Sequence, residues 1–168
     1  MKNVLELLER TAARLPRQTA FADQQCSYDY QTVVNIAGSV GSALAANGER
    51  NCPVAVLMER GAPCLVTLMG VLYSGNFYVV LDPEMPAERV NKILRTLQPT
   101  ALICDEAHKD DPAGLDYDGK VYSAEALAAG QAQPELLQTV RRRMIDTDPA
   151  YAIFTSGSTG NPKGVVVN

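Results

Sequence analysis

The sequence predicts an α/β protein, a three-layer arrangement in which a mostly parallel sheet carries helices on both faces. Three observations point there. The run "PVAVLM" (53–58) is short and continuously apolar, the pattern of a strand covered on both sides. Two further short strands, "FYVVL" (77–81) and "TALIC" (100–104), follow it, each separated from the last by a segment of helical period. Strand, helix, strand, helix, strand in that order requires parallel pairing through right-handed crossovers.

Each element has its own warrant. Val4, Leu5, Leu8 and Ala12 fall on one helical face, and Pro16 closes that opening helix. "TAFADQQCSYDY" reads as two short strands about the turn-prone Asp23-Gln24-Gln25, and Asp29 is placed to cap the next helix. That helix carries Val33, Ile36, Ala37, Val40 and Leu44 on one stripe, with Gly48 at the position of a left-handed cap. The first crossover helix has Pro63 near its start, Leu65, Leu68, Met69 and Leu72 inward, and Gly75 after it. The second has Pro86 near its start, Val90, Ile93, Leu94 and Leu97 inward, and Pro99 as its stop.

Beyond the third strand the chain turns acidic. "DEAHKDDPAGLDYDG" (105–119) reads as a solvated loop, "KVY" as a brief strand, and "SAEALAAG" and "PELLQTVRRRM" as helices. Arg141, Arg142 and Arg143 span most of a helix circumference and read as surface charge rather than a phosphate patch.

Composition narrows the function. A chain of 168 residues is one domain, long enough to bury roughly 68–70% of its unfolded surface. At 46% apolar, 20% charged and a formal charge of −4, it offers no electrostatic reason to bind nucleic acid or an anionic membrane. Cys26, Cys52, Cys64 and Cys104 are scattered without a Cys-x-x-Cys pair and stand apart from the lone His108, so they read as buried or partly buried thiols and no metal site is expected. Glu6 and Glu9 interrupt the N-terminal apolar pattern, against a signal peptide, and the longest nearly apolar stretch, 64–73, is shorter than the ~20 residues of a membrane span. The expectation is a soluble, cytoplasmic protein.

The chemistry concentrates in "YAIFTSGSTGNPKGVVVN", Tyr151 to Asn168. Both flanks of this stretch read as strands, so residues 155–164 form the tip of a hairpin. A Walker A loop is excluded: counting from Gly157, the sixth position is Pro162, Lys163 is followed by Gly164, and no helix follows. The residue types nevertheless suit an anion. Gly157, Gly160 and Gly164 allow close backbone approach, Thr155, Ser156, Ser158 and Thr159 offer hydroxyl donors, and Lys163 adds a mobile positive charge.

"TSGSTGNPKG" resembles the phosphate-loop signature of the adenylate-forming (AMP-binding) superfamily, which comprises acyl- and aryl-CoA synthetases, firefly luciferase and the adenylation domains of nonribosomal peptide synthetases. Upstream, "CSYDYQTVVNIAGSVGSALAANG" and "GVLYSGNFYVVLDPEMPAERVNKIL" resemble the first and second core motifs of that superfamily, in its order. Tyr78, Leu81, Asp82, Pro83, Pro86 and Arg89 bring the second closer to the amino-acid-activating branch, while Tyr73, Ser74 and Val80 depart from it.

The resemblance implies part of the large N-terminal domain of an adenylate-forming enzyme. It also implies the reaction: a carboxylate, here an amino acid, attacks the α-phosphorus of Mg-ATP, pyrophosphate leaves, and the acyl-adenylate passes to a carrier-protein or other thiol. The phosphate-binding role falls on Thr155, Ser156, Gly157, Ser158, Thr159, Gly160, Lys163 and Gly164. The adenine, ribose, carboxylate and metal-binding residues of the family lie downstream of this motif, so the catalytic residues are expected beyond Asn168. The chain (1–168) is accordingly expected to be a truncated N-terminal subdomain, inactive by itself and prone to self-association. An acyl- or aryl-CoA synthetase, or a noncatalytic nucleotide-binding or interaction module, are the alternative readings.

Overall fold

The computed structural model describes residues 3–156 and 162–168, with Ser156 described by its backbone alone. The chain opens with α1 (Val4–Arg14), where the Asn3 side chain accepts a hydrogen bond from the Leu5 N–H and satisfies one of the free donors of the first turn. β1 (Thr19–Ala22) and β2 (Ser27–Asp29) pair antiparallel as a separate two-stranded sheet. Asp29 ends β2 and caps α2 (Tyr30–Ala45) by accepting the Thr32 N–H at 2.8 Å.

The main sheet is built from β3 (Pro53–Leu57), β4 (Phe77–Leu81), β5 (Ala101–Cys104), β6 (Lys120–Ser123), β7 (Tyr151–Ser156) and β8 (Pro162–Val167). Its spatial order is β6-β5-β3-β4-β7-β8, with every neighbour parallel except the terminal β7–β8 pair. The crossovers are α3 (Ala62–Tyr73) between β3 and β4, and α4 (Ala87–Leu97) between β4 and β5; α5 (Ala124–Ala128) and α6 (Pro134–Arg143) separate β6 from β7. The order reverses direction at β3: β4 lies on one side of it and β5 on the other.

Alternation along β3 divides the interior. Val54 and Val56 pack with Val40 and Leu44 of α2, Leu68 and Val71 of α3 and Leu127 of α5, whereas Ala55 and Leu57 pack with Val79, Leu81 and the Val90, Ile93 and Leu94 stripe of α4. The result is helix, sheet, helix. A third cluster joins Leu5 and Leu8 of α1 to α2 and α3, with Phe21 of β1 and Tyr78 of β4 packed against it. Each fully buried Val, Leu or Ile side chain contributes about 1.5–3 kcal/mol by leaving water.

Helices α2 and α3 approach closely through reciprocal notches. A Cβ on Gly41 would stand 2.5 Å from the Tyr73 Cβ, and one on Gly70 would stand 2.5 Å from the Val40 Cβ. Neither position accepts a side chain unless the helices part.

Several sequence expectations need adjustment. Val4 and Leu65 are 46% and 43% exposed rather than inward. The α1 stripe runs through Leu5, Leu8 and Ala12, and α3, wedged between α2 and the sheet, buries most of its circumference and leaves the Leu65 side outward. The acidic segment 105–119 contains two 3-10 turns, Glu106–His108 and Asp111–Gly114, with Pro112 buried, so it is more than a solvated loop. Arg141 is more than surface charge: its guanidinium donates to Glu9 Oε1 and Asn3 Oδ1, both at 2.7 Å, and lies 5.4 Å from the Tyr73 ring centre, tying α6 to α1 and α3.

Candidate functional site

Because β7 runs parallel to β4, its C-terminal end lies at the carboxyl end of the sheet, beside the ends of β3, β4 and β5. In open α/β sheets this is the end at which ligands bind. The hairpin is tighter than the ten residues 155–164 suggested. Thr155 and Ser156 belong to β7, and Pro162, Lys163 and Gly164 belong to β8, in the register Phe154↔Gly164, Thr155↔Lys163 and Ser156↔Pro162. Ladder bonds are made by the backbone, so a polar sequence extends the strands without apolar side chains, and proline is tolerated at the first residue of β8.

Directly opposed residues of an antiparallel pair share a face. The Thr155 and Lys163 side chains therefore share one face of the hairpin, and both residues are exposed. Phe154 and Gly164 occupy the other face, where Phe154 packs against the α4-side core. Gly157, Ser158, Thr159 and Gly160, with Asn161 and the side chain of Ser156, lie outside the described residues. Of the eight expected phosphate-binding residues, the structure thus brings together Thr155 and Lys163 and sets Gly164 on the opposite face.

The hairpin is anchored from its other end. Asp148 accepts hydrogen bonds from Arg50 at 2.6 Å, the Ile145 N–H at 2.9 Å and Asn51 at 3.1 Å. Burial pushes this carboxyl up, but the bonds from Ile145, Arg50 and Asn51 outweigh it and hold it below the usual carboxylate range. The Tyr78 and Tyr151 rings stack with centres 5.7 Å apart, locking β7 onto β4. Asn168 stands at this anchored end. It follows Val167, the partner of Tyr151, and lines a cavity of about 380 Å³ with Asn3, Met144 and Pro149. The whole length of β8 therefore separates Asn168 from Pro162, and it takes no part in the Thr155–Lys163 face.

Two strands away from β7, a roughly 10 Å step at the usual strand spacing, a crevice of about 390 Å³ opens at the ends of β3 and β5, where the strand order reverses. Asp23 spans it from the tip of the β1–β2 turn: one oxygen accepts the Gln25 and Cys26 N–H groups, both at 2.8 Å, and the other accepts the Ala62 N–H at 2.7 Å. The Ala62 bond, then those from Cys26 and Gln25, hold this carboxyl down to about 2. The positive end of α3 is therefore occupied by the protein's own carboxylate. On the opposite rim Asp105 accepts the Glu59 N–H at 3.0 Å and pairs with the His108 ring at 2.5 Å, which raises His108 above the ordinary histidine range. Asp82, from the second motif, holds Arg60 at 2.7 Å. By its sequence Asp23 is a turn residue; its role at α3 depends on a contact across 39 positions that no local pattern reports.

The motif departures have packing roles. Tyr73 is buried beneath Arg141, and the Ser74 hydroxyl donates to the Val71 carbonyl and accepts from Asn76. Cys64 and Cys104 are buried free thiols; burial pushes Cys64 up to about 11 and Cys104 in the same direction, which keeps both protonated. Among the described residues no three His, Cys, Asp or Glu side chains converge as a metal site requires, and no described helix is long and apolar enough to cross a membrane.

The same organisation recurs in known proteins. The chain is 36% identical over 154 residues to pyochelin synthetase PchF of Pseudomonas aeruginosa, a match covering 91% of this chain and 8% of that protein. It is 28% identical over 167 residues to vanchrobactin synthetase VabF of Vibrio anguillarum, covering 98% of this chain and 6% of that one. Among solved structures it superposes on the nonribosomal peptide synthetase FmoA3, in its α-methyl-L-serine-AMP bound form, with a TM-score of 0.78, 25% identity and coverage of 96% of this chain and 17% of that one. This chain therefore spans a small part of each of these relatives. The family model described as "AMP-binding enzyme" matches residues 8–168. With that model matching nearly its whole length, on the α/β fold and hairpin described above, the chain belongs to the AMP-binding enzyme family.

Proposed function

We propose that this chain is the N-terminal part of an adenylation domain, ending just after the phosphate-binding segment 155–164, and that the domain activates an amino acid as its acyl-adenylate with release of pyrophosphate. The carrying observation is the Thr155–Lys163 pair on one exposed face of a hairpin at the carboxyl end of the sheet. A departing pyrophosphate needs its charge neutralised as it forms, and a flexible ammonium beside a hydroxyl donor can follow the outer phosphates through that change. The phosphate-binding role proposed for this segment extends to Ser156, Gly157, Ser158, Thr159 and Gly160, whose hydroxyls and amides are donors suited to an anion. Magnesium, arriving with ATP, supplies further neutralisation of the phosphate oxygens. The likeness to the FmoA3 structure, which carries α-methyl-L-serine-AMP, supports an amino acid as the activated carboxylate; the acceptor we propose is a carrier-protein or other thiol.

Pyrophosphate exchange tests the reading. The 168-residue chain, offered Mg-ATP and each of the twenty amino acids, is expected to give no exchange, and the complete domain is expected to give exchange with a small subset. Turnover by the 168-residue chain would overturn its assignment as a part. Activity of the complete domain with fatty or aryl acids and coenzyme A, but with no amino acid, would replace the amino-acid reading by an acyl-CoA synthetase.

A further inference from the structure

We infer that Phe154 is a positioning residue for the phosphate hairpin: its ring seats on the bare Cα of Gly164 and so fixes where Lys163 stands. The inference rests on the proposed function for its consequence, and on geometry for its premise. Glycine weakens a strand interior, and Gly164 lies inside β8. Two explanations compete: a ligand backbone contact that a Cβ would block, or a neighbouring group already in that space.

The structure favours the second. Phe154 is the direct cross-strand partner of Gly164. A Cβ built on Gly164 would meet the Phe154 ring at 3.0 Å (Cζ), 3.2 Å (Cε1) and 3.4 Å (Cε2), so the far edge of the ring lies over the glycine. Side chains alternate between faces along a strand. Thr155 and Lys163, one position away on each strand, therefore face away from this contact, and a phosphate held on their side does not need the missing Cβ of Gly164. The ring is itself held by the α4-side core, which makes it a fixed seat rather than a loose cover. Aromatic covering of a cross-strand glycine sets strand separation and twist, and the next pair along the ladder is Thr155 with Lys163.

The experiment is a double-mutant cycle of Gly164→Ala and Phe154→Leu, the latter removing the ring edge that the new methyl would meet. It has two readouts: amide hydrogen exchange of β8 in the 168-residue chain, and KM for ATP against kcat in the complete domain, with Lys163→Met measured alongside. Gly164→Ala alone is expected to speed exchange across Lys163–Val167 and raise KM for ATP about tenfold, whereas in the Phe154→Leu background it adds less than about twofold, because contacting residues couple. Equal cost of Gly164→Ala in both backgrounds would overturn the proposal. Coupling in the exchange data together with unchanged ATP use by Lys163→Met would leave the seat intact but overturn the phosphate reading, and with it the positioning role.

Discussion

β3 and β8 are both valine-rich strands of one sheet, yet Val54 and Val56 are 1% and 0% exposed while Val165 and Val166 are 56% and 59% exposed. The residue type is the same; the place in the strand order differs. β3 sits between β5 and β4 with helices over both faces, whereas β8 is an edge strand whose Val165 and Val166, on opposite faces, are both exposed. Ile153, opposite Val165 on β7, is 52% exposed as well. The central region is thus complete in itself, and the region bearing Thr155 and Lys163 presents an apolar surface of the kind that marks an interaction site. We propose that this surface packs against the remainder of the adenylation domain, and that it mediates self-association when that partner is missing.

The contrast can be broken by paired substitutions. Leu102→Ala, at a fully buried site beneath α4, is expected to cost about 2–5 kcal/mol, whereas Val166→Ala is expected to stay within about 0.5 kcal/mol; urea unfolding of the two variants checks both, and equal costs would erase the distinction. Gly70→Ala drives a methyl into Val40 and is expected to cost about 1–3 kcal/mol by forcing α2 and α3 apart, read in the same way.

Asp23→Asn gives a smaller, pH-dependent effect. The folded carboxyl sits at about 2 against an ordinary 3.8, so its stabilisation is fully present above pH 4 and is lost as pH falls toward 2. Thermal unfolding should therefore show the variant melting below the native chain at pH 7, with the gap closing as pH falls from 4 to 2; a gap independent of pH would remove the carboxylate from the account. The least effect on folding is expected for Val165→Lys combined with Val166→Lys, which leaves stability nearly unchanged but lowers the apparent mass of the 168-residue chain in sedimentation at high concentration. An unchanged mass distribution with measurable self-association would place the contact elsewhere.

Much of the fold was legible because its signals are local. Continuous apolar runs marked β3, β4 and β5, Asp29 marked the start of α2, and Pro63 and Pro86 marked the crossover helices, one as an early helical residue and the other as the cap. What escaped was decided by distant partners. The outward side of α3 follows from being wedged under α2, and Arg141 gains its role from Glu9, 132 positions away. The site was legible as a set of residue types suited to phosphate, but not as two faces. Only the strand register separates Thr155 and Lys163 from Gly164, and that register extends through residues whose composition reads as loop.

In the proposed reaction Lys163, beside Thr155, grips the outer phosphates of ATP. The most direct measurement is pyrophosphate exchange by the complete domain carrying Lys163→Met, with thermal unfolding as a control for folding. An exchange rate lower by about 10²-fold at an unchanged melting temperature is the expected result. Undiminished exchange and ATP affinity in that variant would contradict it.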